Sequence, residues 1–407
     1  MARRSRYHNN NNQTMYSTDH NEFPGTLASW IAGSKPSHGN DGDDIAHILL
    51  GKAGEQREDG RRTAILQLLR YNFKPDSLTE VNVLPEKDVP VSMAVHPGGD
   101  GVILSFSQGC KFFELDSGKS KLKVSDIVLS SMQDIGPQKC LAFSADGSKF
   151  AAGGEDGHLR IFEWPSLQVL LDQPKAHSSF KDLDFSLDSA FLASTSNDGP
   201  ARVWDIIKAA PLATLTRDQG ESIDFCRFSR DGTKPFLFCT VTKGGKTRIA
   251  VWDITTWRKL GGKKFLDNPI SAFGISRNGK FLAIGSTKGD ISIIDVQKMQ
   301  VQHSIKRAHF GAVITSIEFA SNGRALLSVS PEWAARVNTI PYERDWKDWQ
   351  IYLLLLAMVL LSVILFYIFF EHSDSFWNFP LGREQPARPP IEAILGDRVS
   401  SDDQNIW

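Results

Sequence analysis

A repeated unit accounts for most of this 407-residue chain and constrains its fold more than any other feature. Each copy combines an apolar residue, a short turn containing Asp or Asn and Gly, an apolar strand, a second turn and an alternating strand. Successive copies are 48, 42, 43, 47 and 44 residues apart. The six copies begin at Val95, Phe143, Phe185, Phe228, Ile275 and Phe319. This period is that of a four-stranded propeller blade, and because each blade buries its faces only against its neighbours, the array is predicted to close into a ring.

The segment before the first repeat, residues 26–72, supplies one more blade. It carries three strand-like runs, TLASWIAG, IAHILLG and TAILQLLRYN. The span 26–340, divided by about 44 residues per blade, fits about seven blades. We therefore predict an all-β fold, a propeller over residues 26–340, preceded by a disordered basic and Asn-rich tail at 1–25. In many propellers a strand from one end of the chain completes the blade at the other end, and segment 26–33 is the candidate for that closure.

Residues 351–370, IYLLLLAMVLLSVILFYIFF, form a run of 20 positions without a charge. As a helix this run is about 30 Å long, which matches the hydrocarbon thickness of a bilayer. Aromatic residues flank it, among them Trp349 before and Trp377 after. The run predicts a transmembrane helix with ends at Ile351 and Phe370, preceded by a juxtamembrane linker at 341–350. A buried core helix is the alternative, but such a helix rarely stays apolar on every face.

The N-terminal segment predicts the orientation of this anchor. Residues 1–13, MARRSRYHNNNNQ, are basic and Asn-rich, and no apolar run that resembles a signal peptide follows them. We therefore expect the propeller to stay in the cytosol and only the C-terminal segment to cross the membrane. Residues 371–407 are then a short lumenal tail, mostly disordered.

Charge and cysteine content exclude some classes of function. The net charge is −1, with 46 Lys and Arg against 47 Asp and Glu, so there is no basic footprint for nucleic acid. The four cysteines form no CxxC pair and are predicted to be reduced residues of a cytosolic domain. Cys226 and Cys239 flank the Asp231-Gly232 turn, and a cross-strand disulfide between them is the alternative.

The ends of some repeats resemble the WD-repeat family. Trp204-Asp205 and Trp252-Asp253 stand where that family has its WD dipeptide, and the resemblance gives His177, Asp198 and Trp204 the places of its hydrogen-bonded structural residues. Other blades depart from the pattern. His177 and His309 each follow an alanine, three blades apart, so we predict that both histidines are structural and that neither belongs to a metal site.

No motif for hydrolysis or redox chemistry is present, so we predict no catalytic residues. Gly244-Gly245-Lys246-Thr247 resembles the end of a phosphate-binding loop, but Thr240 stands where the leading glycine is required. A strand also follows, where a phosphate-binding loop needs a helix, and the segment is therefore predicted to be a turn. Propellers most often present loops to partners, which favours a binding or regulatory role.

Six segments carry a closer resemblance. They are DVPVSMAVHPGGD from Asp88, QKCLAFSADGSK from Gln138, KAHSSFKDLDFSLDSAFLASTSNDG from Lys175, CRFSRDGTKPFLFC from Cys226, WKDWQIY from Trp346 and EHSDSFW from Glu371. With the propeller and the late anchor, they resemble the endoplasmic-reticulum exchange factors for the small GTPase that starts COPII coat assembly. They resemble more closely a plant subfamily, the phosphate transporter traffic facilitators or SEC-twelve-like proteins. The resemblance implies an endoplasmic-reticulum membrane protein that helps membrane cargo, such as phosphate transporters, to leave that compartment.

The resemblance also implies a partner-binding segment in the first blade. In the exchange factors a Gly-rich loop of this blade resembles a wedge that is ordered by potassium and contacts the GTPase. The corresponding segment here is 51–62, GKAGEQREDGRR, where seven charged residues interrupt three glycines. The predicted partner-binding residues are Gly51, Lys52, Gly54, Glu55, Arg57, Asp59 and Arg61. The interrupted glycines argue against a potassium ion, so no cofactor is predicted, and against exchange activity; an ordinary solvated hairpin turn is the alternative.

Two hypotheses of function follow. The favoured one is a membrane-tethered accessory factor for the exit of polytopic cargo, by resemblance phosphate transporters. The alternative is a working guanine-nucleotide exchange factor for the COPII GTPase, which must bind the nucleotide-free state more tightly than the loaded one.

Overall fold

The computed structural model describes residues 13–16, 27–31, 45–56, 62–74, 76–116, 121–197, 199–232, 235–330, 335–340 and 348–372. Within these ranges, 28 strands form seven four-stranded antiparallel sheets. The inner strands of neighbouring sheets are in contact around the whole ring. The predicted all-β propeller of seven blades is therefore confirmed.

The blades follow one another in chain order, and each sheet runs from an inner to an outer strand. Blade 1 consists of β2 (Leu27–Ile31), β3 (Ile45–Gln56), β4 (Arg62–Asn72) and β5 (Ser77–Glu86). Blade 2 consists of β6 (Ser92–Val95), β7 (Gly101–Phe106), β8 (Gly109–Leu115) and β9 (Leu122–Val124). Blade 3 consists of β10 (Gln138–Phe143), β11 (Lys149–Gly154), β12 (Leu159–Glu163) and β13 (Val169–Gln173). Blades 4 and 5 consist of β14 (Phe180–Phe185), β15 (Phe191–Ser196), β16 (Arg202–Asp205) and β17 (Ala210–Thr214), then β18 (Glu221–Phe228), β19 (Phe236–Lys243), β20 (Lys246–Asp253) and β21 (Arg258–Lys263). Blade 6 consists of β22 (Ile270–Ile275), β23 (Phe281–Ser286), β24 (Ile291–Asp295) and β25 (Gln300–Ile305). Blade 7 combines β26 (Ser316–Phe319), β27 (Ala325–Val329) and β28 (Ala335–Thr339) with β1 (Gln13–Tyr16).

The ring closes through β1, which pairs antiparallel with β28 as the outer strand of blade 7. The prediction that segment 26–33 closes the ring is wrong, since Leu27–Ile31 is the inner strand of blade 1. The predicted disordered tail at 1–25 is wrong at Gln13–Tyr16, because these residues form strand β1 and pair with β28. Physically, β2 carries Ala28, Trp30 and Ile31 as buried side chains, which suits an inner strand between two blades.

The strand directions divide the ring into two rims. Because neighbouring strands are antiparallel, the turns between second and third strands lie on the same side as the segments that join one blade to the next; we name this side the upper rim. Hydrogen bonds join the two kinds of segment, as from His309 N to the Gly289 carbonyl at 3.2 Å. The other turns form the lower rim. Since β28 is a third strand, it runs towards the lower rim, where Ile340 follows it.

Apolar side chains fill the space between adjacent sheets. Trp204, Phe113 and Phe150 are among the largest side chains that are fully buried. Cys226 and Cys239 face each other across β18 and β19, and both are buried free thiols. The prediction of reduced cysteines therefore agrees with the structure, and the alternative disulfide is not formed.

The second compact unit, Tyr342–Trp407, contains one described helix, α1 (Asp348–His372). The helix begins three residues before Ile351 and ends two residues after Phe370, so it takes in positions that were predicted to belong to the linker and the tail. Its stretch Gln350–Phe369 is long and apolar enough to cross a membrane, and none of that stretch is buried. Uniform exposure of apolar side chains is not the pattern of a core helix.

Candidate functional site

The hairpin of blade 1 is longer than the corresponding hairpins of the other blades. β3 has 12 residues and β4 has 11, whereas the second and third strands of blades 2 to 7 have four to eight. Leu27, the first residue of the inner strand, lies opposite Gly51, so residues 52–56 extend past it at the upper rim. The predicted loop 51–62 is therefore wrong over 51–56, which belongs to strand β3 and pairs with β4 at 51–53 and at 56, with a register shift between. Of the predicted partner-binding residues, Arg57, Asp59 and Arg61 lie outside the described residues.

Close packing explains two glycines of this hairpin. A Cβ atom on Gly51 would stand 3.0 Å from the Cγ atom of Pro90, in the segment that leads into blade 2. A Cβ atom on Gly54 would stand 2.7 Å from Oγ1 of Thr63 on the partner strand. Both glycines are buried, and Lys52 and Glu55 lie on the same strand β3. The glycines therefore allow tight contact within the blade.

The described half of the segment does not fit the potassium site that the family resemblance implies. Gly51, Lys52 and Ala53 pair in register with residues 64–66 of β4. In an extended strand successive carbonyl groups point to opposite sides, so these carbonyl oxygens do not converge on one point. What residues 51–56 provide is an extended ribbon that carries the charged segment after them, an arrangement suited to contact with a protein.

An ion pair ties the base of the hairpin to blade 2. Glu86, at the end of β5 and opposite Ala64, is 9% exposed and accepts a 2.9 Å bond from Nζ of Lys111 on β8. The same ammonium lies 4.9 Å from the ring centre of Phe106. Together with the contact of Gly51 and Pro90, this pair holds the hairpin firmly against its neighbour.

The WD-type residues of blade 4 form one hydrogen-bonded group. Nε2 of His177 lies 2.7 Å from Oγ of Ser194, and Nε1 of Trp204 donates to the same hydroxyl at 2.8 Å. Asp198 lies outside the described residues. Ser194 was not identified from the sequence. Its position is the available signal, since Ser194 lies two residues after Leu192, and Leu192 is the cross-strand partner of Trp204.

Blade 7 repeats part of this group, and blade 5 does not. Nε2 of His309 lies 2.8 Å from Oγ of Ser328, and burial, together with the charge of Arg336, lowers the pKa of His309 to about 3. Both histidines that were candidates for a metal site therefore bind serines inside blades. Among the described residues, none accepts a hydrogen bond from Nε1 of Trp252, because Cys239 occupies the strand position that Ser194 has in blade 4.

Charged groups that the sequence did not single out join inner strands. Asp182 of β14 pairs with Arg227 of β18 and accepts a 3.0 Å bond from the Cys226 amide. Asp184, two residues further on, pairs with Arg230 at 2.6 Å. The alternating acidic residues of β14 were the available signal, since alternate positions of a strand face the same neighbour. These groups are paired within the ring and serve its assembly.

Glu318 joins the last inner strand to the first. Its carboxylate accepts bonds from Oγ of Ser29 at 2.7 Å and from the Trp30 amide at 3.1 Å, and Nε1 of Trp30 donates to its carbonyl at 3.2 Å. Burial raises the pKa of Glu318 to about 7, against the lowering effect of these bonds and of Arg227. This contact closes the ring at the inner strands, as β1 closes it at the outer edge.

These features define a class: a WD-repeat β-propeller with one C-terminal helix that is apolar enough to span a membrane. Family models agree with the repeats. The model for the WD domain, G-beta repeat, matches residues 135–163 and 168–205, and the model for the anaphase-promoting complex subunit 4 WD40 domain matches residues 247–325.

Similarity to curated proteins covers most of the chain. SEC12-like protein 1 of Arabidopsis thaliana is 45% identical over 368 residues, which are 88% of this chain and 92% of that protein. SEC12-like protein 2 of the same plant is 37% identical over 69% of this chain and 73% of its own length. The chain belongs to the SEC12-like family, as the sequence resemblance predicts. The guanine nucleotide-exchange factor SEC12 of Rattus norvegicus is more distant, with 24% identity over 56% of this chain and 60% of its own.

Proposed function

We propose that this protein acts in the early secretory pathway, as a single-pass protein of the endoplasmic-reticulum membrane that supports COPII-dependent export. The observation that carries the proposal is the 45% identity to SEC12-like protein 1 over 88% of the chain. In this proposal the propeller lies in the cytosol, where a coat-initiating GTPase acts, and the tail lies in the lumen. The potential partners are membrane cargo, a COPII-type small GTPase and the lipid bilayer.

The cargo in this proposal is a polytopic membrane protein of the phosphate transporter type. The sequence motifs that border the anchor, WKDWQIY and EHSDSFW, support this assignment by their resemblance to the transporter traffic facilitators. The short connection also supports it. Ile340 ends the described propeller and Asp348 begins the helix, so the seven residues 341–347, at most about 25 Å of extended chain, connect them. A tether this short keeps the propeller near membrane-bound partners and raises its effective concentration there.

The hairpin of blade 1 favours an accessory role over nucleotide exchange. An exchange factor shifts the GTPase towards its nucleotide-free state only by binding that state more tightly. Residues 51–53 pair with β4 and Gly51 packs on Pro90, and this strand geometry supports an accessory role over a glycine-rich, cation-ordered wedge. In our proposal the charged hairpin contacts a partner without a potassium ion and without displacing nucleotide.

Nucleotide release from the COPII GTPase tests this assignment. Full-length protein in liposomes is added at catalytic concentrations to GTPase loaded with a fluorescent nucleotide, and a SEC12 exchange factor serves as the positive control. We expect the release rate to stay at its spontaneous value. Acceleration comparable to that of the control would replace the accessory role with the exchange role, while leaving the place in the secretory pathway intact.

A further inference from the structure

Six exposed cationic side chains lie on the upper rim of blades 5 and 6. They are Lys243, Lys246, Lys264, Lys288, Lys306 and Arg307. The first two flank the Gly244-Gly245 turn. This turn confirms the prediction from the sequence, because both glycines have positive φ, 55° and 76°, and Lys243 is the cross-strand backbone partner of Lys246. The others belong to three neighbouring segments, 264–270, 287–290 and 306–314. We name these four segments together the basic rim.

Hydrogen bonds join the segments of the basic rim in sequence around the ring. The Ile270 amide donates to Oγ1 of Thr247 at 3.4 Å, next to the first turn. The Thr287 amide donates to the Pro269 carbonyl at 3.0 Å, and the Arg307 amide donates to Oδ1 of Asp290 at 2.9 Å. The four segments therefore form one continuous stretch of the upper rim.

The carboxylates of the basic rim do not neutralise it. Its four segments contain two, Asp267 and Asp290. Asp290 is 7% exposed and uses its oxygens within the rim, one for Arg307 N and the other for Nδ2 of Asn268 at 3.1 Å. Asp267 pairs with Lys264 at 2.8 Å, and Lys264 and Lys306 together lower its pKa. Beside these segments, Glu221 lies opposite Lys243, but its carboxylate is buried and pairs with Arg248 and Lys259, and Asp218 also lies near Arg248. Within the four segments, six cations face two anions.

Exposed apolar side chains lie beside the cations of segment 306–314. Phe310 is 66% exposed and Val313 is 42% exposed. The turn that carries them is fixed by hydrogen bonds from the Phe310 amide to the Arg307 carbonyl at 3.1 Å and from the Ala312 amide to the His309 carbonyl at 2.8 Å. Arg307 and Phe310 both have φ of 50° in this turn, a conformation that costs non-glycine residues free energy. The turn thus presents an aromatic ring next to Lys306 and Arg307.

We propose that the basic rim binds an acidic segment of a protein partner that contains a bulky apolar residue. Carboxylates of the segment pair with the lysines of blades 5 and 6, and its apolar side chain packs on Phe310 and Val313. We commit to a protein segment rather than a lipid surface because separate cations from four segments surround one turn with exposed apolar side chains, which suits a peptide that has carboxylates on both sides of an apolar residue. The surface is also separate from the hairpin of blade 1, so the inference does not depend on what that hairpin binds.

A labelled peptide tests the proposal. The probe is fluorescein-Glu-Glu-Asp-Phe-Glu-Asp-Glu, and the protein is the full chain in phosphatidylcholine nanodiscs, followed by fluorescence anisotropy. We expect saturable binding that weakens steeply between about 50 and 300 mM salt, since the pairing is electrostatic. The triple variant K264E/K288E/K306E should weaken binding by at least about tenfold. The matched control K121E/K208E/K298E makes the same change in net charge at exposed positions away from the basic rim and should alter binding less than about twofold.

The apolar contact has its own variant. Phe310→Ala should weaken binding of the peptide that contains Phe. It should not change binding of a second peptide that has Ala in place of Phe. Equal losses in the two triple variants would overturn the proposal, because net charge alone would then explain binding. Absence of saturable peptide binding would overturn it as well. A third outcome would also overturn it: the protein binds phosphatidylserine vesicles but not the peptide, and K264E/K288E/K306E abolishes the vesicle binding. The surface would then be a lipid site.

Discussion

At the scale of single residues, the carboxyl group of Glu318 couples ring closure to pH. Burial raises its pKa to about 7, so between about pH 4.5 and pH 7 the folded protein binds this proton more strongly than the unfolded chain. The free energy of unfolding should therefore fall as pH rises through this window, by about 1–3 kcal/mol. Glu318→Gln, which has no proton to lose, should flatten the dependence. Urea unfolding at pH 5, 6, 7 and 8, followed by tryptophan fluorescence, measures both slopes; parallel slopes would contradict the assignment.

Ser194 is the second residue with a measurable consequence. Its hydroxyl bonds to both His177 and the buried indole of Trp204, and Ser194→Ala removes both of these hydrogen bonds. We expect a loss of about 2–4 kcal/mol in the free energy of unfolding. Cys239→Ala is the matched control at the same strand position of blade 5, where Trp252 already lacks an acceptor, and should cost about 1 kcal/mol. Similar costs for the two variants would show that the hydroxyl contributes no more than packing.

At the scale of elements, the blade 1 hairpin depends on glycine for its contact with blade 2. Gly51→Ala brings a methyl group to 3.0 Å from the Cγ atom of the Pro90 ring, which must give way by a few tenths of an ångström. We expect a loss of about 1–2 kcal/mol, measured as a lower melting temperature. Gly261→Ala on the outer strand β21, where no atom lies within 4 Å of the added carbon, should change stability by less than about 0.5 kcal/mol. If both variants melt like the wild type, the hairpin is not packed as described.

The elements also show which parts of the fold the sequence predicts. Strands buried between blades, such as β2 and β3, carry apolar side chains that periodicity detects. The sequence does not predict the outer strands β1 and β5, because an outer strand needs backbone pairing more than buried side chains, and nine of the ten β5 positions are half-buried or exposed without regular alternation. The hairpin was mistaken for a loop because glycine and charge typify loops, while the packing that requires Gly51 involves a residue 39 positions away.

The candidate surfaces follow the same rule. The sequence located the charged segment of blade 1, since it is contiguous in the chain. The basic rim could not be predicted, because its cations come from four separate segments and only the closed ring brings them to one surface. The group around Ser194 was half predicted: His177 and Trp204 are recognisable by family resemblance, but the serine between them is an ordinary residue in sequence.

At the scale of the whole molecule, the proposed orientation places the C-terminal tail in the lumen. A tag added after Trp407 should resist protease added to sealed endoplasmic-reticulum vesicles and become sensitive once detergent opens them. The same digestion should remove the propeller, detected by an antibody to it, without detergent. Digestion of the C-terminal tag from outside intact vesicles would reverse the proposed topology.

The proposed role in export is tested most directly by the distribution of phosphate transporters in cells that lack this protein. Fluorescent transporter and a secreted reporter are followed together, and the cells are complemented with the full chain or with residues 1–340, which lack the helix. We expect the transporter to accumulate in the endoplasmic reticulum while the secreted reporter leaves normally, and we expect rescue by the full chain alone, because tethering supplies the effective concentration. Normal delivery of the transporter, or an equal block of the secreted reporter, would contradict the proposed function.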